Sequence, residues 1–220
     1  MKLLRKALPS LAAPALLVVI GLTLTACNKQ SAPPPASQQS SQAAAPSPAP
    51  AVPAGWTSLS SSKGAFTISW PQNLKGQETN SNVSWRIDQT SPGMQFFSLD
   101  VAGVNNPNTS FADASLTIGA SGDKESLAKC MVPDNTDGTP VPPSTVTING
   151  AAFTVFSSIS KGNSNEEDVT SYRILHGGQC YAVEYDIAFV PANSKPSDRA
   201  QQYPKLTALL QSIIATFRFQ

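Results

Sequence analysis

The stretch Tyr172-Arg173-Ile174-Leu175-His176-Gly177-Gly178-Gln179-Cys180-Tyr181-Ala182-Val183-Glu184-Tyr185-Asp186-Ile187-Ala188-Phe189 decides the fold. Tyr172 and Ile174 alternate with polar residues, and Tyr181, Val183, Tyr185, Ile187 and Phe189 form the longest alternating run in the chain. Period-two alternation places successive side chains on opposite faces of a strand. Gly177-Gly178 between the runs accepts the positive φ that a twisted two-residue hairpin turn demands. With the glycines in the turn, His176 faces Gln179, Leu175 faces Cys180, Ile174 faces Tyr181 and Tyr172 faces Val183. One face is then continuously apolar. The other carries Arg173, Ala182, Glu184 and Asp186, ends at Cys180, and is expected to be the more polar. A slip of one residue would turn the tyrosines and Phe189 outward.

The same grammar recurs upstream. Phe66, Ile68 and Trp70 alternate up to Pro71; Val83, Trp85 and Ile87 alternate, as do Phe97, Leu99 and Val101. Val146 and Ile148 run into Asn149-Gly150 and then Phe153 and Val155, and Asn-Gly between apolar runs is a strong hairpin signal. Connections this short make the strands antiparallel. Two helices are expected. The first, over Ser121–Met131, places Leu127, Cys130 and Met131 on one face, with Asp123 or Ser121 as the cap. In the second, Leu206, Leu209, Leu210, Ile213, Ile214 and Phe217 form an amphipathic stripe, with Pro204 in the first turn. This helix is the natural cover for the apolar face of the hairpin, and Phe217-Arg218-Phe219 closes the chain as a short strand. The expected class is α+β: a mainly antiparallel sheet of hairpins covered by an amphipathic C-terminal helix and a shorter second helix.

Composition divides the chain. It has 220 residues, with 15 Lys+Arg, 14 Asp+Glu, one His, three Cys and 19 Pro. A net charge of +1 excludes a generic basic nucleic-acid binder, and one His excludes a His-cluster metal site. Every aromatic residue lies between Trp56 and Phe219. From Lys29 to Gly55, 24 of 27 residues are Ala, Pro, Ser or Gln, a composition that cannot bury enough apolar surface to offset its ordering entropy. Pro33-Pro34-Pro35 and the alternating Pro46, Pro48 and Pro50 favour extended polyproline geometry. The segment reads as a tether.

The chain opens with Lys2, Arg5 and Lys6, followed from Leu11 to Ala26 by an almost purely apolar run that is short for a membrane-spanning helix. The run ends in Leu24-Thr25-Ala26-Cys27. This arrangement resembles the signal peptide and lipobox of bacterial lipoproteins. The resemblance implies cleavage before Cys27 and lipid attachment, palmitate included, at that residue. Several acyl chains together make a lasting membrane anchor, at about 0.8 kcal/mol per buried methylene. The expected layout is 1–26 signal peptide, 27–55 lipidated Cys and disordered tether, and 56–220 a single α+β domain. In enteric-type lipoproteins Asp at the following position retains the protein at the inner membrane, so Asn28 points to the outer membrane, with the domain facing the periplasm or the cell surface.

Export leaves Cys130 and Cys180 as an even pair in a compartment where disulfides persist. A bridge between them would contribute roughly 4 kcal/mol on the chain-entropy model; two buried free thiols are the alternative. The domain also faintly resembles PsbP-like extracytoplasmic domains, through Gly64-Ala65-Phe66-Thr67-Ile68-Ser69-Trp70-Pro71, the paired hairpins of the second half, and Ala215-Thr216-Phe217-Arg218-Phe219. That resemblance implies an antiparallel sheet covered by helices, in a group with many non-catalytic assembly or binding modules. It carries over no functional residue.

Chemistry-bearing motifs are weak. Ser-x-x-Lys occurs at Ser60/Lys63, Ser121/Lys124, Ser126/Lys129 and Ser158/Lys161, without the companion Lys-Thr-Gly or a Gly-x-Ser-x-Gly elbow. Asp134-Asn135-Thr136-Asp137-Gly138 would put Pro133 at the first calcium-ligand position, so it reads as a turn. Glu166-Glu167-Asp168 reads as a solvated acidic loop tip, and His176 as a residue flanking a turn. No catalytic residue, cofactor or metal ligand is expected. The expected partners are the membrane, through covalent lipid, and another envelope component, and not nucleic acid. The leading function is a non-catalytic binding or assembly lipoprotein. An envelope hydrolase using scattered Ser, Asp and His176, or a structural cell-wall-associated lipoprotein, are the alternatives.

Overall fold

The computed structural model describes residues 51–82, 84–86, 91–101, 111–133, 141–161, 166–189 and 196–220. Cys27, the lipobox, nearly all of the tether, and the Asp134–Gly138 turn lie outside these residues. The domain is α+β. Its strands are β1 (Trp56–Ser61), β2 (Phe66–Pro71), β3 (Lys75–Ser81), β4 (Met94–Asp100), β5 (Phe111–Ser121), β6 (Ser144–Ile148), β7 (Ala151–Lys161), β8 (Glu166–His176), β9 (Gln179–Phe189) and β10 (Arg218–Phe219). The helices are α1 (Lys124–Lys129) and α2 (Pro196–Ile214). Seven strands form one antiparallel sheet in the order β3-β4-β5-β9-β8-β7-β6, and β1-β2-β10 form a smaller one.

The β8–β9 hairpin has the register expected from its turn: His176 pairs with Gln179, Leu175 with Cys180, Ile174 with Tyr181 and Tyr172 with Val183. Gly177 and Gly178 both have positive φ, +57° and +79°. Asn149 and Gly150 make the equivalent turn between β6 and β7, where Ile148 pairs with Ala151. Asn149 has a second task. Its amide donates to the carbonyls of Ala215 (3.0 Å) and Phe217 (2.7 Å), satisfying acceptors just past the end of α2.

The front face of the large sheet is the apolar one, and α2 covers it. Leu206, Leu210, Ile213, Ile214 and Phe217 are buried in one cluster with Phe153, Tyr172, Tyr181, Val183, Tyr185, Ile187 and Phe189. Pro204 is not in the first turn as expected. The helix starts at Pro196, and Pro204 sits in its interior, where it removes one i→i−4 hydrogen bond. Burial of the stripe below Pro204 holds the helix through that loss. The chain then closes as β10 on β2, and Phe217 and Phe219 meet Phe153 at ring-centroid distances of 5.7 and 6.4 Å.

The back face departs most from expectation. It is polar in composition, yet Arg173, Glu184, Ser171 and Asp186 are all buried, Arg173 completely. The cover is α1 and the segment around Trp85. The alternation at Val83, Trp85 and Ile87 does not mark a strand: Ser84–Arg86 belong to none, and Val83 and Ile87 lie outside the described residues. Trp85 is instead buried with Cys130, Cys180 and Ala182. Its backbone lies against Gly119 of β5 so closely that a Cβ there would sit 2.3 Å from the Trp85 carbonyl oxygen. The first helix is shorter than the expected Ser121–Met131. Ser121 ends β5, Asp123 caps α1 by accepting from Glu125 and Ser126 N–H groups, and Met131 is exposed beyond the helix.

Candidate functional site

Cys130 and Cys180 are joined, with their Cα atoms 5.7 Å apart, tying the end of α1 to β9. The bridge holds Val132 over Arg173, whose Nη1 donates to the Val132 carbonyl at 3.0 Å. Arg173 Nε donates to Ser171 Oγ at 2.8 Å, Nη2 lies 3.9 Å from Glu184 Oε1, and the guanidinium sits 4.6 Å from the Phe156 ring centroid. A buried charge survives only when paired and hydrogen-bonded, and this one is both. Further along the same face, Ser115 donates its hydroxyl to Asp186. Burial, outweighing that hydrogen bond, with Glu167 and Asp113 nearby, pushes the Asp186 carboxyl up to about 6.

The sequence candidates for catalysis are dispersed. Ser121 and Ser126 both donate their hydroxyls to the Pro92 carbonyl, and Lys129 pairs with Glu125 at 2.6 Å rather than with Ser126. Ser60 is on β1 with Lys63 in the following turn; Ser158 is on β7, and the Lys161 side chain lies outside the description. His176 is exposed and stacks on Phe219 at 3.7 Å between ring centroids, edge-on to Tyr181. Glu166-Glu167-Asp168 is not a loop tip. These residues open β8, and Asp168 is buried on the front face, where the Tyr203 hydroxyl bonds to it. The register forces this placement, because Asp168 pairs with Ile187 in the middle of the sheet. Among the described residues, no group of three or more His, Cys, Asp or Glu is placed to hold a metal ion.

A feature absent from the sequence reading is a cleft of about 670 Å³ between the front face and the last turns of α2. Edge strand β6 gives Ser144, Val146 and Ile148; β7 gives Val155 and Ser157; β8 and β9 give Thr170, Tyr172 and Tyr185. Gln211 and Ile214 of α2 form the opposite wall. The Gln211 amide bonds both tyrosine hydroxyls, and Tyr185 also bonds Thr170. Burial pushes the Tyr172 hydroxyl up to about 12 and raises that of Tyr185, so both remain neutral donors and acceptors across the physiological range. No charged side chain lines the cleft among the described residues. Clefts of this size with apolar walls and a few convergent polar groups are the usual form of small-ligand sites. A signal for it was present only as the inward-facing Tyr172 and Tyr185; the remaining lining residues have no common spacing.

Among the described residues, no helix is long and apolar enough to cross a membrane. The chain matches no family model and no curated protein. It is similar to the solution structure of cyanobacterial PsbP from Synechocystis, with 9% identity, coverage of 79% of this chain and 98% of that one, and a TM-score of 0.43. It is also similar to LpqN of Mycobacterium tuberculosis, described as involved in cell envelope biogenesis, with 9% identity, coverage of 71% and 87%, and a TM-score of 0.40. Similarity at this level assigns neither family nor activity.

Proposed function

We propose that this chain is a lipid-anchored envelope protein whose tethered domain binds another envelope component without catalysing a reaction. The observation that carries this reading is Leu24-Thr25-Ala26-Cys27 at the end of a charged-then-apolar start, followed by a Pro/Ala/Ser/Gln tether. The bridged Cys130–Cys180 pair suits an exported domain, because disulfides persist outside the reducing cytoplasm. The neutral cleft supplies a place to bind, and among the described residues the dispersed Ser, Lys and His side chains supply no nucleophile–base pair. Asn28 favours the outer membrane over the inner.

The test is metabolic labelling with a fatty acid. The wild-type chain takes up label and partitions with membranes. Cys27→Ser takes up none and accumulates as precursor or unlipidated product. Label retained by Cys27→Ser would refute the anchor. His176→Ala keeps full biological function on this reading; loss of function with the fold intact would favour the hydrolase alternative.

A further inference from the structure

We propose that the cleft between β6–β9 and α2 takes a neutral oligosaccharide bearing hydroxyl and acetamido groups; the proposal rests on the binding-domain reading above and names its ligand class. The lining decides the chemistry. Ser144, Ser157, Thr170, Tyr172 and Tyr185 present hydroxyls that both donate and accept, Gln211 holds the two tyrosines in place, and Asn149, whose amide N–H groups are taken by the Ala215 and Phe217 carbonyls, keeps its side-chain oxygen as an acceptor. Sugar hydroxyls have this dual character, so a hydroxyl-lined wall matches them in either direction. Val146, Val155 and Ile214 lie among these groups and offer apolar contact for the C–H faces of a sugar ring and for acetamido methyls.

Charge narrows the choice. Among the described residues, no charged side chain lines the cleft to pair with an anion or a cation. Asp168 faces the same side of β8 two positions from Thr170, so its carboxylate disfavours an anionic ligand. The cleft is open along β6, where Ser144–Thr147 are exposed, so a chain longer than one sugar can pass through the mouth. Its volume of about 670 Å³ holds an oligomer rather than a single ring.

The experiment is an amide-resolved NMR titration of the isotope-labelled full chain in detergent. The probes are an oligomer of N-acetylglucosamine, a galacturonic acid oligomer of the same length, and a neutral Ala/Pro peptide. The expected result is that the N-acetylglucosamine oligomer shifts Val146, Thr170, Tyr172 and Gln211, while the acidic oligomer and the peptide do not. Gln211→Ala, at an exposed helix position, weakens binding at least about tenfold. Val146→Glu, at an exposed edge position, abolishes it, and the spectrum of each variant reports its folding directly. His176→Ala, outside the cleft, binds as wild type. The proposal is overturned if the neutral oligomer leaves the cleft amides unmoved, shifts residues elsewhere, or binds no better than its acidic counterpart. It is equally overturned if the peptide alone occupies the cleft. Fatty-acid labelling of Cys27 is independent of all these outcomes, so failure here leaves the anchor reading intact, and the converse holds.

Discussion

The two faces of the β8–β9 hairpin are buried by opposite means. On the front, α2 lays an apolar stripe on Tyr172, Tyr181, Val183 and Ile187, and area removed from water supplies the stability, at about 25 cal/mol per Å². On the back, the small helix α1 is six residues long and brings only Leu127, with Cys130, to the apolar contact. What holds it there is covalent: the Cys130–Cys180 bridge, assisted by the Arg173 bond to the Val132 carbonyl. A short helix with so little apolar area cannot stay docked on a polar surface through burial alone. One hairpin therefore carries a face stabilised by packing and a face stabilised by a staple. The cleft belongs to the first, although its Thr170, Tyr172 and Tyr185 alternate along β8 and β9 with Ser171, Arg173, Glu184 and Asp186 of the second.

Substitutions that attack each face separately sharpen the contrast. The largest loss is expected for Phe153→Ala, which empties a fully buried site against Phe217 and Phe219. Chemical denaturation should show a cost of about 3–5 kcal/mol. The double change Cys130→Ala with Cys180→Ala comes next. It removes a cross-link spanning 50 residues and should cost about 2–4 kcal/mol, concentrated on the back face.

The smallest effect is a gain. The Asp186 carboxyl ionises near 6 in the folded state against an ordinary 3.8, so between those values the folded chain holds the extra proton. Stability contributed by this group is therefore highest at acid pH and falls as pH rises through about 6. Asp186→Asn retains an acceptor for Ser115 and removes the buried charge. It should raise stability by on the order of 2 kcal/mol at pH 7, with the difference closing by about pH 4. An Asp186→Asn chain less stable than wild type at pH 7 would show that the carboxylate is needed as a charge.

How much of this was legible depended on how local the signal was. The β8–β9 and β6–β7 hairpins were readable because Gly177-Gly178 and Asn149-Gly150 set both the turn and the register. The central strand β5 carries a weaker local signal. Ala114, Leu116, Ile118 and Ala120 do alternate, but two of the four are alanines and no turn dipeptide flanks them. Trp85 misled for the opposite reason: a large residue in an alternating triplet looks like a strand, while its actual place is against the disulfide. The burial of Arg173 and Asp186 was unreadable, because their cover comes from segments 40 or more positions away in the chain. The cleft draws on four strands and a helix, and no spacing rule links Val146, Thr170 and Gln211.

The independence of the two faces is tested most directly by hydrogen exchange of the full chain, oxidised and reduced, read residue by residue. Reduction should strip protection from Leu127, Cys130 and Val132, whose N–H groups bond within the α1 segment, to Asp123, Leu127 and Lys129. The amides of β8, β9 and the part of α2 below Pro204 should keep their protection, leaving the cleft formed. Equal loss of protection on both faces after reduction would contradict the account, as would an α1 segment that stays protected without its disulfide.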